Sequence, residues 1–539
     1  QFEADQAAGT LTLPDMPKKG QVQGPFTPQD IPEAVRRMQR SYDKLIALDS
    51  QSEDLATYRF NAAALSQRYF HFSDAERRFV EIVDRHCDKN VAINAGFAII
   101  DSYVVREDHK ATQEWTARLG AKGCGEGELK AKFAGDLKTL GLAARFQEAN
   151  LLLEAGEYEA AADRYVALVQ EEPKDKNADR ALNNAAVAYE KIGRFGSAGK
   201  TYRRIFNEYP DSEFADDALL RSGLNHVRFF EFEDAVTTYL KLAEDPRYKD
   251  SEHRLIALKN AADLLDSLQQ YNRSAAMFRK YAEKAEDPAE VADAVFRVAT
   301  VLRKTDDQRA IEAAYAGFIS RYASNEGQAD KVVEGHLRIG QSRAVRGDRK
   351  GAENAYRDCI STFSARGLKN GSDAADFPSE AQFLLSEYAL ADLLEFELKG
   401  KGKALTKAAL KLFDQVVEAS KAYDAVIPYR RLEWVLAAMY RRGYAFETTA
   451  IKMRKAPVPR SLRPYTEVWF AYKEEVEKGA ARFEAMAIPL FEETIKRGKQ
   501  YGVANEWTRK ALERLNVYKP IEYPLLREPA VELQVEDRR

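Results

Sequence analysis

The sequence predicts an all-α, right-handed superhelical solenoid of stacked helical hairpins, and three observations carry that expectation. The first is a repeated frame. Gly156-Glu157-Tyr158, Ala161, Tyr165 and Pro173 return 37 residues later as Gly193-Arg194-Phe195, Ala198, Tyr202 and Pro210, and again as Phe230-Glu231-Phe232, Ala235 and Tyr239. A period in this range belongs to a two-helix unit whose apolar face is buried only when neighbouring copies stack. The second is length: 539 residues exceed what one hydrophobic core holds, so the chain must divide or extend by repetition. The third is pattern, since helical apolar spacing begins near Ile31-Pro32 and hardly stops before Val517.

Residues 1–30 place Pro14, Pro17, Gly20, Gly24, Pro25 and Pro28 among polar side chains without helical period. They are expected to form a flexible N-terminal segment, suited to tethering or to laying across a partner. Residues 31–141 read as divergent helical repeats. A first unit carries Asn61-Ala62-Ala63-Ala64, Phe72, Ala75, Phe79 and Ile82, and a second carries Ala95-Gly96-Phe97-Ala98 and Trp115. The glycines from Gly120 to Gly127 then break the helix. Their spacing is half of a phosphate-cradling loop, but no β-branched strand precedes it and Glu126 stands where an anion would sit, so it reads as a connector.

Residues 142–364 hold the regular repeats, with equivalent aromatics at Tyr158, Phe195, Phe232 and Tyr271 and weaker units around Ala310-Ile311 with Phe318 and around Gly340, Gly347, Ala352 and Tyr356. One unit displays the logic. Ala185 and Ala186 let the first helix approach its partner with Tyr189 filling the gap, and Gly193 permits the left-handed residue that ends the helix. Ala198, Tyr202, Ile205 and Phe206 form the apolar stripe of the second helix, Tyr209-Pro210 closes the unit, and Asp211-Ser212 starts the next. Residues 365–517 continue as C-terminal helical repeats, with helices expected at 379–398, 405–423, 429–442, 445–454, 464–497 and 506–516. The Gly400-Lys401-Gly402 turn lacks the upstream glycine and following hydroxyl of a phosphate loop. Residues 518–539, with Pro520, Pro524 and Pro529 beside Tyr523, Leu525 and Leu526, should be an extended tail able to dock.

Composition narrows the function. With 82 basic and 85 acidic side chains the formal charge is −3, which removes the concentrated positive field that nucleic-acid binding requires. Apolar residues at 45% and charged residues at 31% fit a folded chain. No stretch approaches the roughly 20 apolar residues of a membrane-spanning helix. The chain begins at Gln1 without Met, so a processed or truncated product is expected, and any removed export signal or lipid-bearing Cys would lie outside the sequence. Three cysteines exclude a disulfide framework. Cys359 reads as a buried thiol, while Cys87 and Cys124 are open to two readings, unpaired or, in an exported chain, paired. Neither the six histidines nor His86-Cys87 with Cys124 shows a metal-ligand spacing. Serine elbows are missing as well. No catalytic residue, cofactor site or metal site is therefore expected.

The aromatic, alanine, aromatic, proline frame resembles that of tetratricopeptide repeats, well over residues 56–364 and loosely beyond. Tyr209-Pro210-Asp211-Ser212 with Ala215, Ala218 and Leu219 is similar to the junction common in bacterial cell-envelope repeat proteins, such as outer-membrane assembly lipoproteins and periplasmic coordinators of envelope constriction. The run Asn505-Glu506-Trp507 to Asn516 with Tyr523-Pro524 is similar to endings of deltaproteobacterial gliding-motility repeat lipoproteins. The resemblance implies a non-catalytic scaffold binding other proteins, periplasmic or outer-membrane-associated, as an adaptor of an envelope complex with lipid attachment in the precursor. A cytoplasmic co-chaperone or regulatory adaptor is the alternative, and an enzyme with its site in residues 365–517 a third reading.

The family resemblance also implies a site. Tetratricopeptide stacks line their groove with first-helix positions, and one subgroup clamps a partner's C-terminal carboxylate with Lys, Asn and Arg. The corresponding positions here are Asn150, Asn184 and Arg221, but Phe146 and Asp217 stand where two lysines would be. Asp217 would repel a carboxylate, so a peptide or helix held by amides, Arg221 and aromatic surface is expected instead. The competing expectation is that these three are merely solvated or inter-repeat polar residues.

Overall fold

The computed structural model describes residue 8 and residues 11–17, 25–459 and 461–525. The described residues form twenty-two α-helices and no strand. The chain divides into two compact units, Gln1–Ala257 and Leu258–Arg539.

The first unit contains α1 (Glu33–Leu48), α2 (Leu55–Arg68), α3 (Phe72–Arg85), α4 (Asn90–Val105), α5 (His109–Lys122), α6 (Gly127–Glu154), α7 (Tyr158–Glu171), α8 (Ala178–Lys191), α9 (Phe195–Glu208), α10 (Ala215–Arg228) and α11 (Phe232–Glu244). Each packs on the next as a hairpin. Helix α12 (His253–Ser267) contains the divide. The second unit continues with α13 (Tyr271–Lys284), α14 (Pro288–Leu302), α15 (Gln308–Tyr322), α16 (Ala329–Val345), α17 (Arg349–Ala365), α18 (Asp376–Glu395), α19 (Lys403–Asp424), α20 (Leu432–Arg454), α21 (Glu467–Gln500) and α22 (Glu506–Tyr518).

The aromatic frame sets the helix starts. Phe72, Tyr158, Phe195, Phe232 and Tyr271 are each the first residue of the second helix of a hairpin. Two positions earlier the chain turns through the left-handed region, at Phe70 (φ 63°), Gly156 (81°), Gly193 (73°), Phe230 (61°) and Gln269 (60°). Glycine takes that conformation without strain, whereas a side chain there costs about 1–2 kcal/mol.

The core within each hairpin rests on a small residue sixteen positions before a buried ring: Ala63 and Phe79, Ala149 and Tyr165, Ala186 and Tyr202, Gly223 and Tyr239, Ala262 and Phe278, Ala299 and Tyr315, Gly340 and Tyr356. Tyr202, fully buried, thus holds the place expected of Tyr189, whose hydroxyl instead donates to Asp163 at 2.8 Å. Gly317, exposed within α15, serves no such approach, because a Cβ there would have nothing within 4 Å. Gly317→Ala should raise stability by about 0.5–1 kcal/mol through the unfolded chain's lost freedom, read as a higher urea midpoint at unchanged slope.

Several sequence expectations shift. The break at Gly120–Gly127 is shorter than expected: α5 continues to Lys122 and ends on left-handed Gly123 (φ 64°). The 28-residue α6 runs through the point where the regular frame begins. Residues 432–454 are one helix rather than two, because Gly443 is a contact and not a break: a Cβ there would lie 2.7 Å from Phe491 Cε1. Residues 11–17 and 25–30 lack helix, as their prolines predict, yet they are fastened to the first hairpins rather than loose. Leu11 and Leu13 pack on the Val35, Leu65 and Tyr69 cluster, and Arg68 Nη1 donates to the Pro14 carbonyl at 2.9 Å. Of the C-terminal tail, Tyr523 packs on the second unit's core and accepts from Asn516 Nδ2 at its carbonyl, 2.9 Å away. Gly20 and Gly24 at one end, and Leu526 and Pro529 at the other, lie outside the described residues.

Cys87 and Cys124 form a disulfide across 37 residues of sequence. This resolves the two sequence readings in favour of pairing and removes both sulfurs as metal ligands. Gly125 makes the approach feasible: its N–H donates to the Cys87 carbonyl at 2.7 Å, its φ is 89°, and a Cβ would sit 2.5 Å from Ile93 Cδ1.

Candidate protein-binding site

The three first-helix residues expected to face a partner lie on α6, α8 and α10, the first helices of consecutive hairpins. The structure does not gather them into one pocket. It distributes them between two hydroxyl-centred networks, each built on a buried tyrosine.

In the first, the fully buried Tyr165 donates its hydroxyl to Asn150 Oδ1 at 2.5 Å, the Asn150 amide donates to Gln147 Oε1 at 3.0 Å, and the Asn184 side chain is near enough to the same hydroxyl to act on its pKa, in the lowering direction. Burial raises the Tyr165 pKa, so the phenol stays protonated and keeps its donor role. Phe146 lies edge-on to Tyr165 at 5.4 Å between centroids and lines a cavity of about 150 Å³ with Leu142, Leu168 and Ala181.

In the second, Glu190 of α8 is the hub. It accepts from the Tyr202 hydroxyl at 3.2 Å, from Arg221 Nη1 at 3.1 Å and from Asn225 Nδ2 at 3.3 Å. Arg228 donates to Asn225 Oδ1 at 3.0 Å, and Arg221 Nε donates to Asp217 Oδ2 at 2.7 Å. Burial works against the Arg221 charge, but Asp217, Tyr202 and Glu190 hold its pKa above the ordinary arginine value. Burial, then Glu190, raises the Tyr202 pKa as well. Asp217 is thus already neutralised by Arg221. The carboxylate repulsion expected of it is accordingly reduced, and so is the cation Arg221 offers a partner.

Asn184 and Arg221 are equivalent positions, each nineteen residues after the buried tyrosine of the preceding hairpin. Both carry the link between repeats, and with Arg221 still 42% exposed they also present an edge to solvent. Glu190, Asn225 and Arg228 were not singled out by the repeat alignment. The sequence signal that could have found them is a polar residue on the first helices within reach of each buried tyrosine.

Residues 180–212 match the family model of the tetratricopeptide repeat. They take in most of α8, all of α9 and the Tyr209-Pro210-Asp211-Ser212 junction. One tetratricopeptide repeat is thus matched in this chain, within residues 180–212. Among solved structures it is similar to the C-terminal part of a tetratricopeptide repeat-containing protein of Cytophaga hutchinsonii, at 13% identity and TM-score 0.29, covering 52% of this chain and 98% of that one. It is also similar to BtubC of P. vanneervenii, at 17% identity and TM-score 0.25, covering 43% and 94%. A tetratricopeptide repeat protein of Parabacteroides merdae matches at 14% identity and TM-score 0.23, covering 54% and 98%. No curated protein matches the chain.

The described residues bring together one set of metal-ligating type, His226, Glu231 and Asp234. His226 Nδ1 is 2.7 Å from Glu231 Oε2 and its Nε2 is 3.2 Å from Arg203 Nη2. A guanidinium can only donate, so Nε2 accepts and Nδ1–H donates to Glu231. The imidazole is occupied on both sides by the protein itself. No described helix is long and apolar enough to cross a membrane.

Proposed function

We propose that this tetratricopeptide protein is a non-catalytic scaffold within a bacterial cell-envelope complex, held in the periplasm or at the outer membrane. The observation that carries the compartment is the Cys87–Cys124 pair, because such bonds persist where thiols are not kept reduced. A cytoplasmic adaptor would carry the same two residues as thiols. Scaffolding itself rests on the repeats, whose preformed surfaces bind with little ordering cost. Helices α18 to α22 pack consecutively, which favours a continued scaffold over a catalytic insertion at 365–517.

Recovery of the native protein from the source bacterium with a periplasmic marker on spheroplast formation, or with the outer-membrane fraction, is the expected result. Recovery with the cytosolic marker, all three cysteines titrating as thiols, would overturn the compartment. The partner face has its own test. Asn184→Ala with Arg221→Ala should reduce co-purification of envelope partners at least fivefold, while lowering stability by only about 1–2 kcal/mol because Glu190 keeps Tyr202 and Asn225. Unchanged capture would remove Asn150, Asn184 and Arg221 as the binding face.

A further inference from the structure

One turn of the first unit occurs twice. Arg68-Tyr69-Phe70-His71-Phe72-Ser73-Asp74-Ala75 between α2 and α3 is matched by Arg228-Phe229-Phe230-Glu231-Phe232-Glu233-Asp234-Ala235 between α10 and α11. Both turns place a phenylalanine in the left-handed region, Phe70 at φ 63° and Phe230 at φ 61°. Such a residue carries strain that burial of its ring can offset.

At the first turn that burial is supplied by an extended segment. The Phe26 ring meets Phe70 and Phe72 edge-on, at 5.2 and 5.8 Å between centroids. The Gln29 N–H donates to the Tyr69 carbonyl at 2.9 Å, and His71 Nε2 bonds the Gln29 carbonyl at 2.8 Å. A carbonyl only accepts, so His71 donates there. The turn therefore reads an aromatic side chain and, three residues on, a hydrogen-bonding group.

At the second turn the aromatic platform is present and uncovered: Phe230 is 79% exposed and Phe229 49%. Phe230 and Phe232 close on each other edge-to-face at 6.1 Å, where Phe70 and Phe72 lie stacked beneath Phe26. One change in the repeated sequence alters the chemistry. Glu231 replaces His71, so a donor becomes a carboxylate acceptor, about half exposed and oriented by His226. A backbone carbonyl would be repelled from it, and a cationic side chain attracted.

We propose that the Arg228–Phe232 turn binds an extended segment of a partner protein that presents an aromatic side chain and, three residues later, a lysine or arginine. The aromatic inserts edge-on against Phe230 and Phe232 as Phe26 does against Phe70 and Phe72, and the cation meets Glu231. The proposal rests on the protein-binding reading above but uses the turn between helices rather than the first-helix face, and it is independent of compartment.

The test is fluorescence anisotropy of the labelled peptide Pro-Phe-Thr-Pro-Lys-Asp-Ile-Pro, residues 25–32 with Gln29→Lys, titrated with the full chain. Saturable binding is expected, weakened about tenfold by Phe230→Ala and unchanged by Phe70→Ala. Glu231→Gln should erase the preference for the lysine peptide over the unmodified one. Phe230→Gly, which removes the ring and relieves the left-handed strain, should weaken binding as far as Phe230→Ala does, with no fall in melting temperature. No saturable binding, or loss in Phe70→Ala rather than Phe230→Ala, overturns the proposal. So does equal affinity for the unmodified peptide, which would assign the turn to the N-terminal segment of a second copy. Retained peptide binding in the Asn184→Ala, Arg221→Ala variant separates this turn from the first-helix face should that face fail its own test.

Discussion

Reduction of the Cys87–Cys124 bond, or Cys87→Ala, should cost the α3–α6 region about 4 kcal/mol. The bond closes a 37-residue span, and the chain-entropy relation for a loop of that length gives this figure as an upper value. Because repeats couple mainly to their nearest neighbours, the loss should be local. Hydrogen exchange should show lost amide protection over residues 72–140 on adding reductant, with protection beyond α13 unchanged. Equal protection with and without reductant would mean that the bond contributes nothing to this region. Thiol titration makes the same point by count. Burial raises the Cys359 pKa and keeps that thiol protonated, so the native oxidised protein should present no reactive thiol, and the denatured oxidised protein one. Gly125→Ala should imitate part of the effect, at about 2–3 kcal/mol, since its φ of 89° strains any side chain and its Cβ would strike Ile93.

The architecture was legible because repetition averages out local ambiguity. A single Tyr or Phe says little, but Tyr158, Phe195, Phe232 and Tyr271 recurring in one frame mark four equivalent positions, each of which the structure makes a helix start. What failed was the reading of glycine. The helix expected to end at 442 runs on, because Gly443 is a site of close contact with Phe491, a partner 48 positions away. The prolines in the described residues 11–17 and 25–30 excluded helix there but not docking, because Phe26 finds its surface at Phe70 and Phe72 only after the hairpin exists. The candidate site was half legible for the same reason. The frame located Asn150, Asn184 and Arg221 on first helices, yet whether their polar groups face a partner or a neighbour depends on hydroxyls from Tyr165 and Tyr202, which sequence distance conceals.

Gly340→Ala should destabilise the second unit by about 2 kcal/mol, although alanine is the better helix former by about 1 kcal/mol. Two effects oppose each other, and distance decides between them. A Cβ at 340 would fall 2.3 Å from Tyr356 Cε1 and 2.5 Å from Cδ1, well inside contact, and Tyr356 is only 2% exposed. The ring is enclosed by Val333, Leu337, Cys359 and Phe363, so it cannot retreat, and overpacking of this kind costs about 1–3 kcal/mol before propensity is credited. Gly223→Ala should behave alike in the first unit, where Tyr239 Cε1 would lie 2.4 Å away. Alanine is nonetheless the resident at Ala149, Ala186 and Ala299, so the requirement is for a matched pair and not for glycine as such. A double-mutant cycle therefore discriminates. Tyr356→Leu alone should lose about 2–3 kcal/mol by leaving space, and combined with Gly340→Ala it should lose at least 1 kcal/mol less than the sum, since the added methyl then fills what the smaller side chain vacates. Urea midpoints at constant slope give the four corners. Simple additivity would mean that Gly340 is retained for some reason other than the approach of Tyr356.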